Sequence, residues 1–117
     1  MDIQRLHSRT DVAKLLEAAR AQPVLIFKHS ATCPISARAC DEWRQFLGVP
    51  EAERVMPAYL VVQEDREASQ EVAERTGVRH ESPQVLLLKG GRVLWHTSHY
   101  AITKDALAAA VAQHVRG

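Results

Sequence analysis

The sequence predicts an α/β domain: a central mixed β-sheet of about four strands with helices on both faces. Three observations carry this. Residues 24–28 and 58–62 are short apolar runs of the kind that strands buried on both faces require. Segments with helical spacing alternate with these runs, which argues for parallel pairing through helical crossovers. Residues 84–88 and 93–96 flank Gly90-Gly91, so a hairpin adds an antiparallel edge.

The elements follow in order. Ser8 or Thr10 can cap a first helix running to about residue 21, with Asp11 in its first turn and Val12, Leu15, Leu16 and Ala19 on one face. Pro23 separates it from the first strand. Pro34 suits the first position of a second helix, which makes Cys33 its N-cap. Cys40, Trp43 and Leu47 form the apolar stripe of that helix, and Gly48 and Pro50 end it. After the second strand, residues 66–76 read as a third helix stopped by Gly77. Thr103 caps a final helix carrying Ala106, Leu107, Ala110, Val111 and Val115. The order is helix, strand, helix, strand, helix, hairpin, helix, with no repeat or linker, so residues 1–117 read as one domain.

Composition narrows the function. With 117 residues the chain can bury one core. A net charge of +1 gives no footprint for nucleic acid or an anionic membrane surface. No apolar run is long enough to span a bilayer, and the first residues show no apolar signal region. Two cysteines are too few for a disulfide framework, so a reducing cytoplasm and transient thiol chemistry are expected.

That chemistry centres on the stretch Cys33-Pro34-Ile35-Ser36. A thiolate is the nucleophile in disulfide exchange, and a cysteine opening a helix faces the unpaired N–H groups of Ile35 and Ser36 and the positive end of the helix dipole. Lys28 and His29, at the end of the preceding strand, are expected to add positive potential. The competing reading of Cys33 is a small apolar loop residue. Serine stands at residue 36, where a second cysteine would complete a redox pair. A mixed disulfide at Cys33 then waits for an external thiol, which suits the transfer of small thiols. The Ser36 hydroxyl can donate to the thiolate, or it can be a plain polar residue of the first turn.

Cys33 after a buried strand, with Gly77-Val78-Arg79 and the later Ser82-Pro83-Gln84-Val85-Leu86-Leu87-Leu88-Lys89-Gly90-Gly91, resembles the thioredoxin superfamily. About one extra residue precedes the proline, within His80-Glu81-Ser82. Phe27-Lys28-His29-Ser30 followed by Thr32-Cys33-Pro34-Ile35-Ser36, with a later Ser-Pro, is more closely similar to the YtxJ-like bacillithiol system proteins, the monothiol bacilliredoxins. The likeness spans essentially the whole chain. It implies a thioredoxin-like fold, a cis Pro83 facing the reactive sulfur, and Ser82 backbone groups that pair with the substrate. It also implies that Thr32, Ile35, Ser82, Pro83, Lys28 and His29 line the substrate site. The implied activity is removal of bacillithiol from client proteins, with bacillithiol as co-substrate and no bound cofactor. A non-enzymatic binding module and a glutaredoxin-like use of another small thiol are the alternatives, although the one-cysteine glutaredoxin motif usually reads CGFS.

Cys40 lies seven residues beyond Cys33, about 10.5 Å along a helix, whereas a disulfide needs its Cα atoms about 5.5–6 Å apart. It is therefore expected to be a small buried hydrophobe, with a resolving role as the alternative. His7, His80, His96, His99 and His114 read as scattered surface or loop residues, and no pattern has the spacing of a structural zinc site. Glu64 to Glu67 read as a solvated loop and helix start, and Trp43 and Trp95 as core.

Overall fold

The computed structural model describes residues 3–32 and 34–116. A first strand β1 (Gln4–Arg5) precedes α1 (Arg9–Ala18), β2 (Val24–His29) and α2 (Pro34–Phe46). Then come β3 (Met56–Val61), α3 (Arg66–Thr76), β4 (Gln84–Lys89), β5 (Arg92–Ser98) and α4 (Lys104–His114). The sheet has five strands in the order β1-β3-β2-β4-β5. β1, β3 and β2 run parallel, β4 runs antiparallel to β2, and β5 returns beside β4.

The helices form where local chemistry places them. Ser8 caps α1 by accepting from the Asp11 N–H at 3.1 Å, and Thr103 caps α4 by accepting from the Ala106 N–H at 3.0 Å. Gly77 ends α3 in the left-handed conformation, φ 72°, which a side chain would resist. The strand beyond the expected four is β1. Two residues are too short to carry a period, and Gln4 and Arg5 gain strand geometry only by pairing with Ala58 and Tyr59.

Strand alternation splits the core into two layers. Leu25, Phe27, Val85 and Leu87 point toward α2 and α4, where Phe27 stacks on Trp43 at 5.2 Å between ring centroids. Val24, Ile26, Ala58, Leu60, Leu86 and Leu88 point toward α1 and α3. Trp43 is buried as expected, while Trp95 packs half-buried against the first layer.

Glu64 to Glu67 are not wholly solvated. Asp65 is buried; desolvation alone would raise its pKa, but bonds from the Val61 N–H, Arg5 and His7 outweigh it and hold the carboxyl below its ordinary range. This ties β1 to the β3–α3 turn and fixes the segment that carries Gln63.

Candidate functional site

Three segments meet at the end of the sheet where β2 gives way to α2. They are residues 29–32 with the start of α2, the β3–α3 turn around Gln63, and residues 80–84 leading into β4. Cys33, the expected nucleophile, lies outside the described residues.

Pro34 is the first residue of α2 and is exposed. Ile35 is half-buried, Thr32 is exposed, and Ser36 is completely buried. The Ser36 hydroxyl accepts from the Ser30 N–H at 2.7 Å and lies 3.1 Å from Nδ1 of His29. Among the described residues its bonds thus run to the preceding loop and to the strand. The residue at the place of a second thiol fastens the Ser30–Thr32 loop to the first turn of α2. Burial, then the charge of Arg44, pushes the His29 pKa down. At neutral pH His29 therefore offers a hydrogen-bonding nitrogen and no positive charge, contrary to the expected positive potential.

Gln63 clamps the same loop from the other side. Its Oε1 accepts from the Ala31 N–H at 3.1 Å, and its Nε2 donates to the Ser30 and Thr32 hydroxyls at 2.7 and 3.3 Å. No pattern in the sequence points to Gln63, because a glutamine after an apolar run carries no signature of its own.

Lys28 also departs from expectation. Successive strand residues face opposite ways, so while His29 points toward α2, Lys28 points toward α3 and is completely buried. Its Nζ donates to the Ser69 carbonyl at 3.2 Å and lies 3.2 Å from Nδ1 of His80. Desolvation pushes its pKa down to about 8. His80 is pushed down by burial and then by the Lys28 charge, so it is neutral and accepts at Nδ1. Of the histidines expected to be scattered, His80 and His7 are instead engaged, with Lys28 and Asp65 respectively.

The Ser82–Pro83 peptide bond is cis. Pro83 is buried and its carbonyl accepts from the His99 N–H at 3.0 Å. The Ser82 Oγ and the Gln84 Oε1 are buried with no hydrogen-bond partner among the described residues. Gln84 pairs in register with Lys28 across β2 and β4, and its Nε2 donates to the Arg79 carbonyl at 3.0 Å.

Cys40 carries a free thiol, half-buried on the α2 side. It lines a cavity of about 240 Å³ with Phe27, His29, Trp43 and Tyr59. Among the described residues no cluster of three or more metal-ligating side chains occurs, and no helix is long and apolar enough to cross a membrane.

The family model for monothiol bacilliredoxin BrxC matches residues 4–107. This chain belongs to that family. A solved thioredoxin-fold oxidoreductase is 35% identical, with 92% of each chain covered and a TM-score of 0.79. Two thioredoxins show the same fold at low identity. That of Fasciola hepatica is 15% identical over 96% of this chain and 99% of its own, TM-score 0.75. That of Malassezia sympodialis is 19% identical over 97% and 90%, TM-score 0.72. The thioredoxin fold and the bacilliredoxin family together support a thiol redox function.

Proposed function

We propose that this chain is a one-cysteine thiol–disulfide oxidoreductase that removes bacillithiol from client proteins. The Cys33 thiolate attacks the bacillithiol sulfur of a client mixed disulfide. The client–bacillithiol bond breaks, the client leaves as a thiolate and takes up a proton, and a Cys33–bacillithiol disulfide forms. The thiolate of a second bacillithiol attacks that bond, releasing the Cys33 thiolate and bacillithiol disulfide. The incoming bacillithiol is therefore the reductant: one is consumed per client and leaves joined to the bacillithiol taken from that client. A reducing cytoplasm keeps the second thiol in supply.

One observation carries this reading. Residue 36, the place of a second thiol, holds a buried hydroxyl already bonded to Ser30 and His29, so no neighbouring sulfur within the motif can resolve the mixed disulfide. The first-turn N–H groups of α2 favour a thiolate at residue 33. Ser82 and Pro83 offer the surface against which a client chain lies.

One model client prepared in bacillithiolated and in glutathionylated form tests the proposal. The expected result is faster release of bacillithiol, lost completely in Cys33→Ser. Equal release of both would assign the chain to another small thiol, and no release of either would leave a binding module.

A further inference from the structure

A cavity of about 500 Å³ opens between two of the site's segments, lined by Val62, Gln63, Arg66, Ser69, Gln70, Ala73, Glu74 and His80. Gln63 is the residue that clamps the Ser30–Thr32 loop, and His80 stands shortly before Ser82 and Pro83. The cavity therefore shares Gln63 with the clamp on the Ser30–Thr32 loop.

Its lining holds one basic side chain, Arg66, and one acidic side chain, Glu74. Glu74 is bonded to Arg9, which it shares with Glu67 and Glu71. Arg66 makes no ion pair among the described residues. Behind the wall sits Lys28, completely buried and bonded to a carbonyl and a neutral imidazole, with no carboxylate partner among the described residues. A buried ammonium without a counter-charge is strongly unfavourable. Because Nδ1 of His80 accepts from Lys28, its ring proton lies on Nε2, leaving that N–H as a donor polarised by the cation behind it. Arg66, the His80 Nε2–H and the Gln70 amide thus supply donors around a space whose one lining carboxylate, Glu74, is bonded to Arg9.

We infer that this cavity binds a carboxylate arm of the small thiol co-substrate, with Arg66 and His80 as its direct partners and Lys28 as the buried counter-charge. The anion site itself follows from the cluster of donors; its assignment to the co-substrate rests on the thiol-exchange reading above. A carboxylate held here would place the attached sulfur near the loop that precedes Cys33 and would select against neutral thiols.

Succinate, with neutral succinamide and inorganic phosphate as comparisons, tests the site on the whole chain by amide chemical shifts. Saturable shifts at Gln63, Ser69 and His80 are expected with succinate and not with succinamide. Arg66→Gln should weaken succinate about tenfold, the equivalent of one charge-assisted contact. No saturation, an equal response to succinamide, or tighter binding of phosphate would overturn the carboxylate site. This readout involves no thiol chemistry. The co-substrate assignment is read separately, from regeneration of a Cys33 mixed disulfide by mercaptosuccinate and by mercaptoethanol at matched thiolate concentration. Mercaptosuccinate should be faster, and Arg66→Gln should erase its advantage. Equal rates in the parent chain would overturn the assignment while leaving thiol exchange intact. Failure of both thiols to regenerate would sink thiol exchange and the assignment with it.

Discussion

The two faces of the sheet solve different problems, and the end of β2 serves both. Toward α2 and α4 the packing is apolar and aromatic, with Phe27, Trp43 and Phe46 in tilted or stacked contact. Its polar edge consists of His29 and Ser36. Toward α1 and α3 the apolar layer gives way at the same level to the buried polar residues Lys28, Gln84 and Ser69, with the exposed His80 bonded to Lys28. The first face fixes the backbone that leads into α2. The second holds a cation under a cavity. One pair of adjacent strand residues, Lys28 and His29, delivers a polar group to each side because strand residues alternate.

That contrast can be broken first on the aromatic side. Trp43→Ala removes the ring stacked on Phe27 and should destabilise the fold by about 3–5 kcal/mol, measured by denaturant unfolding. A loss well below that would mean the aromatic layer is not what holds α2.

Lys28→Met sharpens the contrast, because the opposite sign is expected. An apolar side chain of similar length removes the desolvation penalty, so stability at pH 7 should be unchanged or higher. The pH dependence follows from the lowered pKa. Between about 8, where the folded chain releases the proton, and 10.5, where the unfolded chain does, the unfolded state binds more protons. Stability of the parent chain should therefore rise with pH across that window, by up to about 3 kcal/mol, and the Lys28→Met chain should lack the rise. A flat profile in the parent chain would show that Lys28 is not desolvated when folded.

Sequence alone made the scaffold legible where periodicity and capping residues agree. Ser8, Gly77 and Thr103 mark helix ends that the structure reproduces, and the run ending in Lys28 announced a strand buried on both faces. β1 was illegible because two residues show no period. The site was legible only along the chain. Cys33, Pro34 and Ser36 declare themselves by spacing, but Gln63 and His80 reach the site from segments about 30 and 47 residues beyond it, through contacts no local pattern encodes. Lys28 misled for a related reason: a lysine at a strand end reads as solvated charge until the helix packed over it is known. Asp65 misled in the same way within a run of charged residues.

The smallest effect is expected at Cys40. Half-buried at the edge of the aromatic layer, it should cost about 1 kcal/mol when changed to alanine. Thiol exchange should persist, because a rise of about 10.5 Å over seven helical residues exceeds the about 5.5–6 Å that a disulfide spans between Cα atoms. Mass spectrometry of the parent chain after reaction with a bacillithiolated client tests the one-cysteine account most directly. The account predicts bacillithiol attached to Cys33, a free thiol at Cys40, and the same adduct in an active Cys40→Ala chain. An internal Cys33–Cys40 disulfide as the main product, seen as loss of both thiol hydrogens, together with an inactive Cys40→Ala chain, would contradict it.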